Sequence, residues 1–300
     1  MANNTNLRPL VSIIINCFNG QRFLSDALTS IVNQTYKNWE IIFWDNQSKD
    51  NSKKIFFSFK DKRFKYFYAN KHTVLYEARN LAIKKAKGKY ISFLDTDDVW
   101  ENNKLATQIP LFKNNDIAMV YSNIWIGNSE LKRKKIHIKK KQKSGLIYEN
   151  LIENYNIPII STILRSSILK KFKKKFDKKL SVIGDFEFFL RISKRFKIVY
   201  IHDPLAIYRL HGNNYSSLNK FKEIEEFQAW LKSNKKELNR RQFTSIKSRI
   251  NDRKFLYFKI NGKYKKCFKL IIEKNYFSHS LKNIFILITP NFLLKKLLRY

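Results

Sequence analysis

Alternating apolar and polar stretches divide the first hundred residues into short strands and helices. Leu10–Ile15 and Tyr90–Leu94 are continuous apolar runs, a pattern typical of strands buried on both faces. Phe23–Val32 instead repeats its apolar residues at helical spacing. Gly88 is predicted to end the last helix of this region. Further strands are predicted at Glu40–Trp44 and Phe64–Tyr68, and further helices at Ile55–Phe59 and Ala78–Ala86.

This alternation of strands and helices predicts an α/β fold, with a mostly parallel sheet flanked by helices. The pattern is less regular after Trp100. Two stretches are lysine-rich. Residues 131–143 are predicted to form a solvated loop or hairpin. Residues 168–180 are predicted to form a segment anchored by Phe172 and Phe176. From about Asn219 the chain is predicted to be helical. Other predictions are strands at Ile117–Trp125 and Ile198–Ile201, an extended segment at Pro158–Leu164, and helices at Leu146–Tyr155 and Asp185–Phe196.

Composition adds a strong charge to this picture. The 300 residues carry a formal net charge of +36, which favours anionic partners such as nucleic acid, anionic lipid or a nucleotide diphosphate. Cys17 and Cys267 lie far apart and suggest no disulfide framework, so we expect a reducing cytosol. We also expect neither a signal peptide nor a membrane-spanning helix, because no suitable apolar stretch is present.

An acidic cluster follows the apolar run Tyr90–Leu94. Asp95, Asp97 and Asp98 would lie at the carboxyl end of a strand, where open α/β sheets bind ligands. Grouped carboxylates repel one another unless a cation lies between them. In a chain this basic the cation could be Lys or Arg, but a divalent metal carrying a phosphate substrate fits better. The alternative is an acidic turn that caps a helix beginning near Asn102.

Four segments together resemble the family-2 glycosyltransferases, whose fold is called GT-A. In chain order they are VSIIINCFNG (11–20), DNQSKD (45–50), ARNLAIKKAKGKYISFLDTDD (78–98), and the pair GDFEFFLR (184–191) and YRLHGNNYS (208–216). The resemblance implies a Rossmann-like GT-A domain over 1–215, with a nucleotide-binding half at 9–100 and an acceptor and catalytic half at 101–215. A helical extension, 216–300, would follow.

The resemblance implies which residues hold the nucleotide-sugar. Asn16, Phe18 and Asn19 after the first strand, and Asp45 after the second, would hold the base and ribose. A carboxylate suits the imide N–H of uracil because a charge-assisted hydrogen bond is strong. Arg79 would contact the nucleotide or its diphosphate. The alternatives are a turn-forming Asp45 and a solvated Arg79.

The same resemblance implies a divalent metal, Mg²⁺ or Mn²⁺. One aspartate of the cluster would bind ribose hydroxyls and at least one would bind the metal. We assign Asp95 to the donor and Asp97, Asp98 and His211 to the metal, although the resemblance leaves the division among the aspartates open. A lone loop histidine such as His211 is otherwise usually solvated or structural.

Asp185 matches the catalytic base of the family. It would remove a proton from the acceptor hydroxyl as that hydroxyl attacks the sugar from the face opposite the nucleotide, with inversion. The alternative is that Asp185 caps the helix that follows it. Gly184 stands where the family commonly has Glu. If that Glu orients the acceptor or tunes the base, the acceptor class or the rate would differ here. Glu187 in place of a common Asp is a mild change.

These features predict an inverting, metal-dependent glycosyltransferase that uses a nucleotide-sugar, most simply a UDP-sugar. Its acceptor would be a glycan or lipid-linked precursor of lipopolysaccharide or capsule at the cytoplasmic face. One alternative is a basic nucleic-acid-binding protein, which is disfavoured by aromatic residues in core-like patterns, including Phe56 and Phe57. The other is a nucleotidyltransferase acting on sugar phosphates, which would want more glycines than NCFNGQR carries.

The apolar segment 284–298, IFILITPNFLLKKLL, has basic residues near its end. Its Pro290 argues against one straight helix. It fits either an interfacial segment on an anionic membrane surface or a terminal helix packed on the catalytic domain or a dimer partner. The sequence thus leaves a peripheral membrane location and a homo-oligomer open.

Overall fold

The computed structural model describes residues 8–132, 134–272, 286–287, 289–291 and 293–294. The chain divides into two compact units, Met1–His211 and Gly212–Tyr300. The first unit contains the α/β sheet and the second is helical where it is described.

The first unit follows the predicted alternation closely over its first hundred residues. Its strands are β1 Val11–Cys17, β2 Trp39–Asp45, β3 Phe64–Tyr68, β4 Tyr90–Phe93, β5 Val99–Trp100, β6 Ile117–Gly127, β7 Lys134–Ile136, β8 Ile163–Arg165 and β9 Lys197–Arg209. Its helices are α1 Leu24–Val32, α2 Ser52–Ser58, α3 Leu75–Ile83, α4 Lys104–Gln108, α5 Tyr148–Glu153, α6 Ser166–Lys170 and α7 Gly184–Ser193, with short 3₁₀ turns at Ile109–Leu111 and Ile159–Ser161.

One sheet contains all of these strands. Its order is β3-β2-β1-β4-β8-β6-β9-β5, and β7 pairs with β6 as a hairpin. The strands from β3 to β4 are parallel, as predicted. The second half is mixed, because β8 runs antiparallel to both β4 and β6, β6 and β9 are parallel, and β5 is antiparallel to β9. The fold is therefore α/β with flanking helices, and the purely parallel order applies to strands β1–β4.

Gly88 has a different role from the predicted helix C-cap. Helix α3 begins and ends three residues earlier than predicted, and Ile83 is its last residue. Gly88 instead passes close to β1, where a Cβ atom would lie 2.5 Å from the backbone nitrogen of Ser12. The Gly88 amide donates to the Ser12 hydroxyl, which in turn donates to the buried carboxylate of Glu40. A side chain is therefore excluded here because two backbones meet.

Other predictions needed correction in the second half of the unit. Residues 158–164 are not uniformly extended, since Ile159–Ser161 forms a 3₁₀ turn before β8. Strand β9 is far longer than Ile198–Ile201 and continues through Pro204, because irregular pairing with β6 accommodates the proline.

Phe57 was expected in a core-like pattern but is exposed, whereas its neighbour Phe56 is buried. Phe172 and Phe176 are buried, as their role as anchors predicts.

The second unit consists of helices, as predicted for this region. Asn239 and Gln242 form a reciprocal capping box at the start of its longest helix. Phe255, Cys267 and Leu270 form a buried apolar cluster. Its helices are α8 Tyr215–Leu218, α9 Lys220–Ser233, α10 Arg240–Ile260 and α11 Tyr264–Ile272.

The segment 284–298 lies largely outside the described residues. Of its described residues, Ile286 and Leu287 pack against the Phe255 cluster of the second unit. This part of the segment therefore packs on the helices of the second unit itself, a contact that neither alternative had named. Within the described part of the chain, no helix is long and apolar enough to cross a membrane.

We expect Gly88→Ala to lower the free energy of unfolding by about 1–3 kcal/mol, because the added methyl group would overpack the buried contact with Ser12. Chemical denaturation monitored by circular dichroism measures this change. Gly212→Ala is the matched control, since nothing lies within 4 Å of its Cβ position. Equal stability of the two variants would contradict the close-approach role of Gly88.

Candidate active site

The carboxyl ends of the central parallel strands bring three loops together. Cys17 and Asp45 are register partners at the ends of β1 and β2, and the Asn46 amide donates to the Cys17 carbonyl at 2.8 Å. A Cβ atom on Gly20 would lie 3.0 Å from the Thr96 side chain, so the loop after β1 packs directly on the aspartate segment. The predicted parallel sheet accounts for this convergence, because parallel strands end at the same edge of a sheet.

Asp45 is held at this edge by two hydrogen bonds. Its Oδ1 accepts from the Ser48 amide at 2.7 Å, and its Oδ2 accepts from the Tyr66 hydroxyl at 2.6 Å. The turn-forming role of Asp45 is therefore present in the structure. Burial and the neighbouring Asp45 charge raise the pKa of Tyr66, so its hydroxyl remains a donor.

The predicted base-binding residues lie around an exposed aromatic pair. Phe18 is 53% exposed, and its ring centroid lies 4.4 Å from that of His72. His72 is oriented by its Nδ1, which lies 2.9 Å from the Asn46 carbonyl oxygen. Asn19 has a left-handed backbone conformation, and its side chain accepts from the Lys49 amide. The buried amide nitrogen of Asn16 has no hydrogen-bond partner among the described residues.

Arg79 is buried rather than solvated. Its side chain is 3% exposed, and Nη2 lies 2.7 Å from Oδ1 of Asp95. Desolvation lowers the pKa of Arg79, but the charges of Asp95 and Asp185 outweigh it and raise that pKa overall. The guanidinium therefore interacts with an aspartate of the acidic cluster and with the predicted base.

Asp97 and His211 lie beside each other, whereas Asp98 lies in a different environment. Oδ2 of Asp97 lies 2.9 Å from Nε2 of His211, and both side chains retain some exposure. Asp98 is completely buried, and its Oδ1 accepts from the Arg209 amide at 2.8 Å. Its Oδ2 has no hydrogen-bond partner in the described structure.

Arg209 holds this arrangement in place. Its guanidinium donates to the carbonyls of Asp97 and Ser129 at 2.8 and 2.6 Å, and to Oδ2 of Asp26 at 2.7 Å. It also lies over the Phe23 ring, and the ring of His211 packs against the same phenylalanine. Arg209 thereby ties β9 to the aspartate segment and to α1.

The acidic cluster has the electrostatic character of a cation site. Desolvation and then the neighbouring Asp95 charge raise the pKa of Asp97, and desolvation with the charges of Asp97 and Asp95 raises the pKa of Asp98 well above its usual value. A cation would relieve this repulsion. No three His, Cys, Asp or Glu side chains within the described residues enclose an ion by themselves. Two protein ligands suffice for Mg²⁺ when phosphates and water complete its shell.

Asp185 lies inside the first turn of α7, and the cap position is Ile183. Its Oδ1 is 3.1 Å from the Tyr76 hydroxyl and its Oδ2 is 3.5 Å from the Tyr155 hydroxyl. Burial raises the pKa of Asp185, whereas Arg79 and Tyr76 oppose the rise. A half-buried carboxylate with a raised pKa suits a general base.

Sequence reasoning missed four side chains of this site. Arg209 lies within the YRLHGNNYS segment, so its position in that motif was the available signal. Tyr66, His72 and Tyr76 carried no such signal, because their partners lie in distant parts of the sequence.

The chain is similar to known glycosyltransferases in sequence, in structure and in its match to a family model. It is 34% identical over 218 residues to the Escherichia coli UDP-Glc:alpha-D-GlcNAc-diphosphoundecaprenol beta-1,3-glucosyltransferase WfgD, covering 72% of this chain and 83% of the relative. Staphylococcus aureus TarS 1-349 in complex with UDP-GlcNAc superposes with a TM-score of 0.66 at 16% identity, over 87% of this chain and 78% of TarS.

The Pyrobaculum calidifontis mannosyltransferase PcManGT, solved with GDP-Man and Mn²⁺, has a TM-score of 0.61 at 13% identity, over 97% of this chain and 87% of that enzyme. These two structural similarities show the GT-A type of fold. The model of the family described as "Glycosyl transferase family 2" matches residues 12–179, which include the loops after β1, β2 and β4. The chain therefore belongs to glycosyl transferase family 2 and is a glycosyltransferase.

Proposed function

We propose that this enzyme transfers a sugar, with inversion, from a UDP-sugar to a lipid-linked or glycan acceptor in surface-polysaccharide synthesis. The observation that carries the proposal is the position of Arg79, which pairs with Asp95 on the donor side and also interacts with Asp185. One buried cation thus connects the predicted donor site with the predicted base. Family membership favours this function over nucleic-acid binding and nucleotidyl transfer.

The donor nucleotide would bind across the ends of β1 and β2, in the half spanning 9–100. Phe18 and His72 offer exposed rings on which a base can stack. Asp45 offers a carboxylate to a uracil N–H, and Asn16 offers an unsatisfied amide. TarS was solved with UDP-GlcNAc and WfgD uses UDP-Glc, which supports a uridine nucleotide here.

Asp97 and His211 are the pair best placed to hold a divalent metal, because they adjoin each other and remain partly exposed. We propose that Asp98 supports them from the buried side, where its carboxylate fixes the Arg209 amide. Asp95 then remains available to donor hydroxyls while Arg79 holds it. When bound, Mg²⁺ or Mn²⁺ would neutralise the diphosphate charge of the departing nucleotide.

Asp185 would act as the general base. The acceptor hydroxyl oxygen attacks the anomeric carbon, and its proton passes to the Asp185 carboxylate. The bond from the anomeric carbon to the diphosphate oxygen breaks on the opposite face, so UDP leaves and the configuration inverts. No covalent glycosyl-enzyme is formed, in contrast to retaining glycosidases.

The acceptor would bind in the half spanning 101–215, near Asp185. WfgD, which aligns with 72% of this chain, is a glucosyltransferase acting on alpha-D-GlcNAc-diphosphoundecaprenol. A lipid diphosphate acceptor also suits a protein with a net charge of +36. Peripheral contact with an anionic membrane at the cytoplasmic face would bring the enzyme to such an acceptor.

We expect UDP-sugars to raise the melting temperature more than GDP-sugars do, and only with Mn²⁺ or Mg²⁺ present. Asp97→Asn should weaken metal-dependent UDP binding by at least about tenfold, because it removes a charged ligand. Calorimetry with UDP, with and without metal, measures this difference. Asp116→Asn is the matched control, since Asp116 pairs with Lys197 on the surface. Unchanged metal-dependent affinity in Asp97→Asn would exclude this residue as a ligand.

We expect Asp185→Asn to reduce turnover by about 10²–10⁴-fold, the usual contribution of a general base, while UDP affinity stays close to that of the wild type. Asp185→Glu should recover activity only in part, because displacement by about 1 Å can cost 10²-fold. Transfer to a GlcNAc-diphospholipid acceptor, with UDP release as the readout, measures the rate. Near wild-type transfer by Asp185→Asn would place the base elsewhere, with Glu187 as the next candidate.

A further inference from the structure

Gly184 leaves a space that the Tyr76 ring occupies. A Cβ atom built on Gly184 would lie 2.5, 2.6 and 2.7 Å from three carbons of that ring. Atoms of this kind do not approach so closely, so a side chain at 184 and the observed position of Tyr76 exclude each other. Where the family commonly has Glu, this chain has Gly184, and the Tyr76 ring from α3 fills the space that a side chain would need.

Tyr76 is fixed in that space. It is buried, and its ring stacks on Phe176 with centroids 5.4 Å apart. The Phe176 backbone is in turn held by two hydrogen bonds to the Asn80 side chain. The Tyr76 hydroxyl lies 2.8 Å from the Val182 carbonyl oxygen and 3.1 Å from Oδ1 of Asp185.

We propose that Tyr76 is a positioning residue for the catalytic base, with its ring admitted by Gly184 and its hydroxyl holding the Asp185 carboxylate. The inference rests on the proposed function, since it requires Asp185 to be the base. Tyr76 touches neither donor nor acceptor in this role. The contact that orients the Asp185 carboxylate thus comes from α3. A side chain at position 184 cannot provide it in this chain, because it would overlap the Tyr76 ring.

The charged and titratable groups facing Asp185 determine how this role can be measured. Tyr76 and Arg79 face it from α3, and Tyr155 follows α5. Burial raises the pKa of Asp185, while Arg79 and the Tyr76 hydroxyl lower it. Removing the hydroxyl should therefore raise that pKa further. Because the base works only when deprotonated, activity should then be lost at a higher pH as pH falls.

Tyr76→Phe tests the inference, because it keeps the ring that fills the space beside Gly184 and removes only the hydroxyl. We expect kcat to fall about tenfold, because the carboxylate loses a fixed orientation. The acid limb of the plot of kcat against pH should shift to higher pH by about one unit, while the KM for the UDP-sugar stays unchanged. Tyr36→Phe is the matched control, since its hydroxyl donates to the Pro9 carbonyl away from the site.

Gly184→Ala is a second variant that keeps the hydroxyl but displaces the ring. It should lower kcat and shift the acid limb in the same direction as Tyr76→Phe. A lower melting temperature of Tyr76→Phe with an unmoved acid limb would assign the hydroxyl to Val182 and overturn the inference. A wild-type kcat and pH profile in Tyr76→Phe would also overturn it.

Asp185→Asn, measured in the same assay, distinguishes a failure of the proposed base from a failure of the positioning role of Tyr76. If it is inactive while Tyr76→Phe behaves as wild type, the proposed base stands and the positioning role fails. If Asp185→Asn transfers sugar normally, the proposed base itself fails. Loss in both variants, with the pH shift in Tyr76→Phe, supports both.

Discussion

The hydrogen bond from the Arg209 amide to the buried Asp98 carboxylate connects the two halves of the catalytic unit. It joins the end of β9 to the segment that follows β4, and the Arg209 side chain adds bonds to the Asp97 carbonyl and to Asp26. A buried carboxylate without partners is costly, so this segment has few alternative conformations. His211 lies only two residues beyond Arg209 and is thereby brought beside Asp97.

This connection explains why a strongly cationic chain keeps its acidic groups together. Burial and the neighbouring aspartate charges raise the pKa values of Asp97 and Asp98, while buried Arg79 forms an ion pair with Asp95. A cation beside Asp97 would relieve the remaining repulsion, as the proposed metal site requires. Outside this cluster the lysine-rich surface would attract the anionic substrates on which such a metal acts.

Helix α3 links Asp95, on the proposed donor side, with Asp185, the proposed base. Arg79 and Tyr76 are three residues apart, so they lie on the same face of this helix, and both are buried. One contacts Asp95 and the other contacts Asp185. Because a single helix carries both side chains, Asp185, the proposed base, keeps a fixed relation to the acidic cluster. This relation needs no residue at 184, where Gly leaves the required space.

The sequence by itself determined the strands of the first hundred residues, because predominantly apolar runs such as 11–15 and 90–93 have to be buried on both faces. It also determined that the segments after β1, β2 and β4 meet, since parallel strands end at one edge. Only the tertiary structure decided the mixed order of the second half, the length of β9 and the role of Gly88, because these depend on pairing between distant strands. The same holds for the contact of Tyr76 with Asp185, which joins residues 109 positions apart and leaves no local pattern.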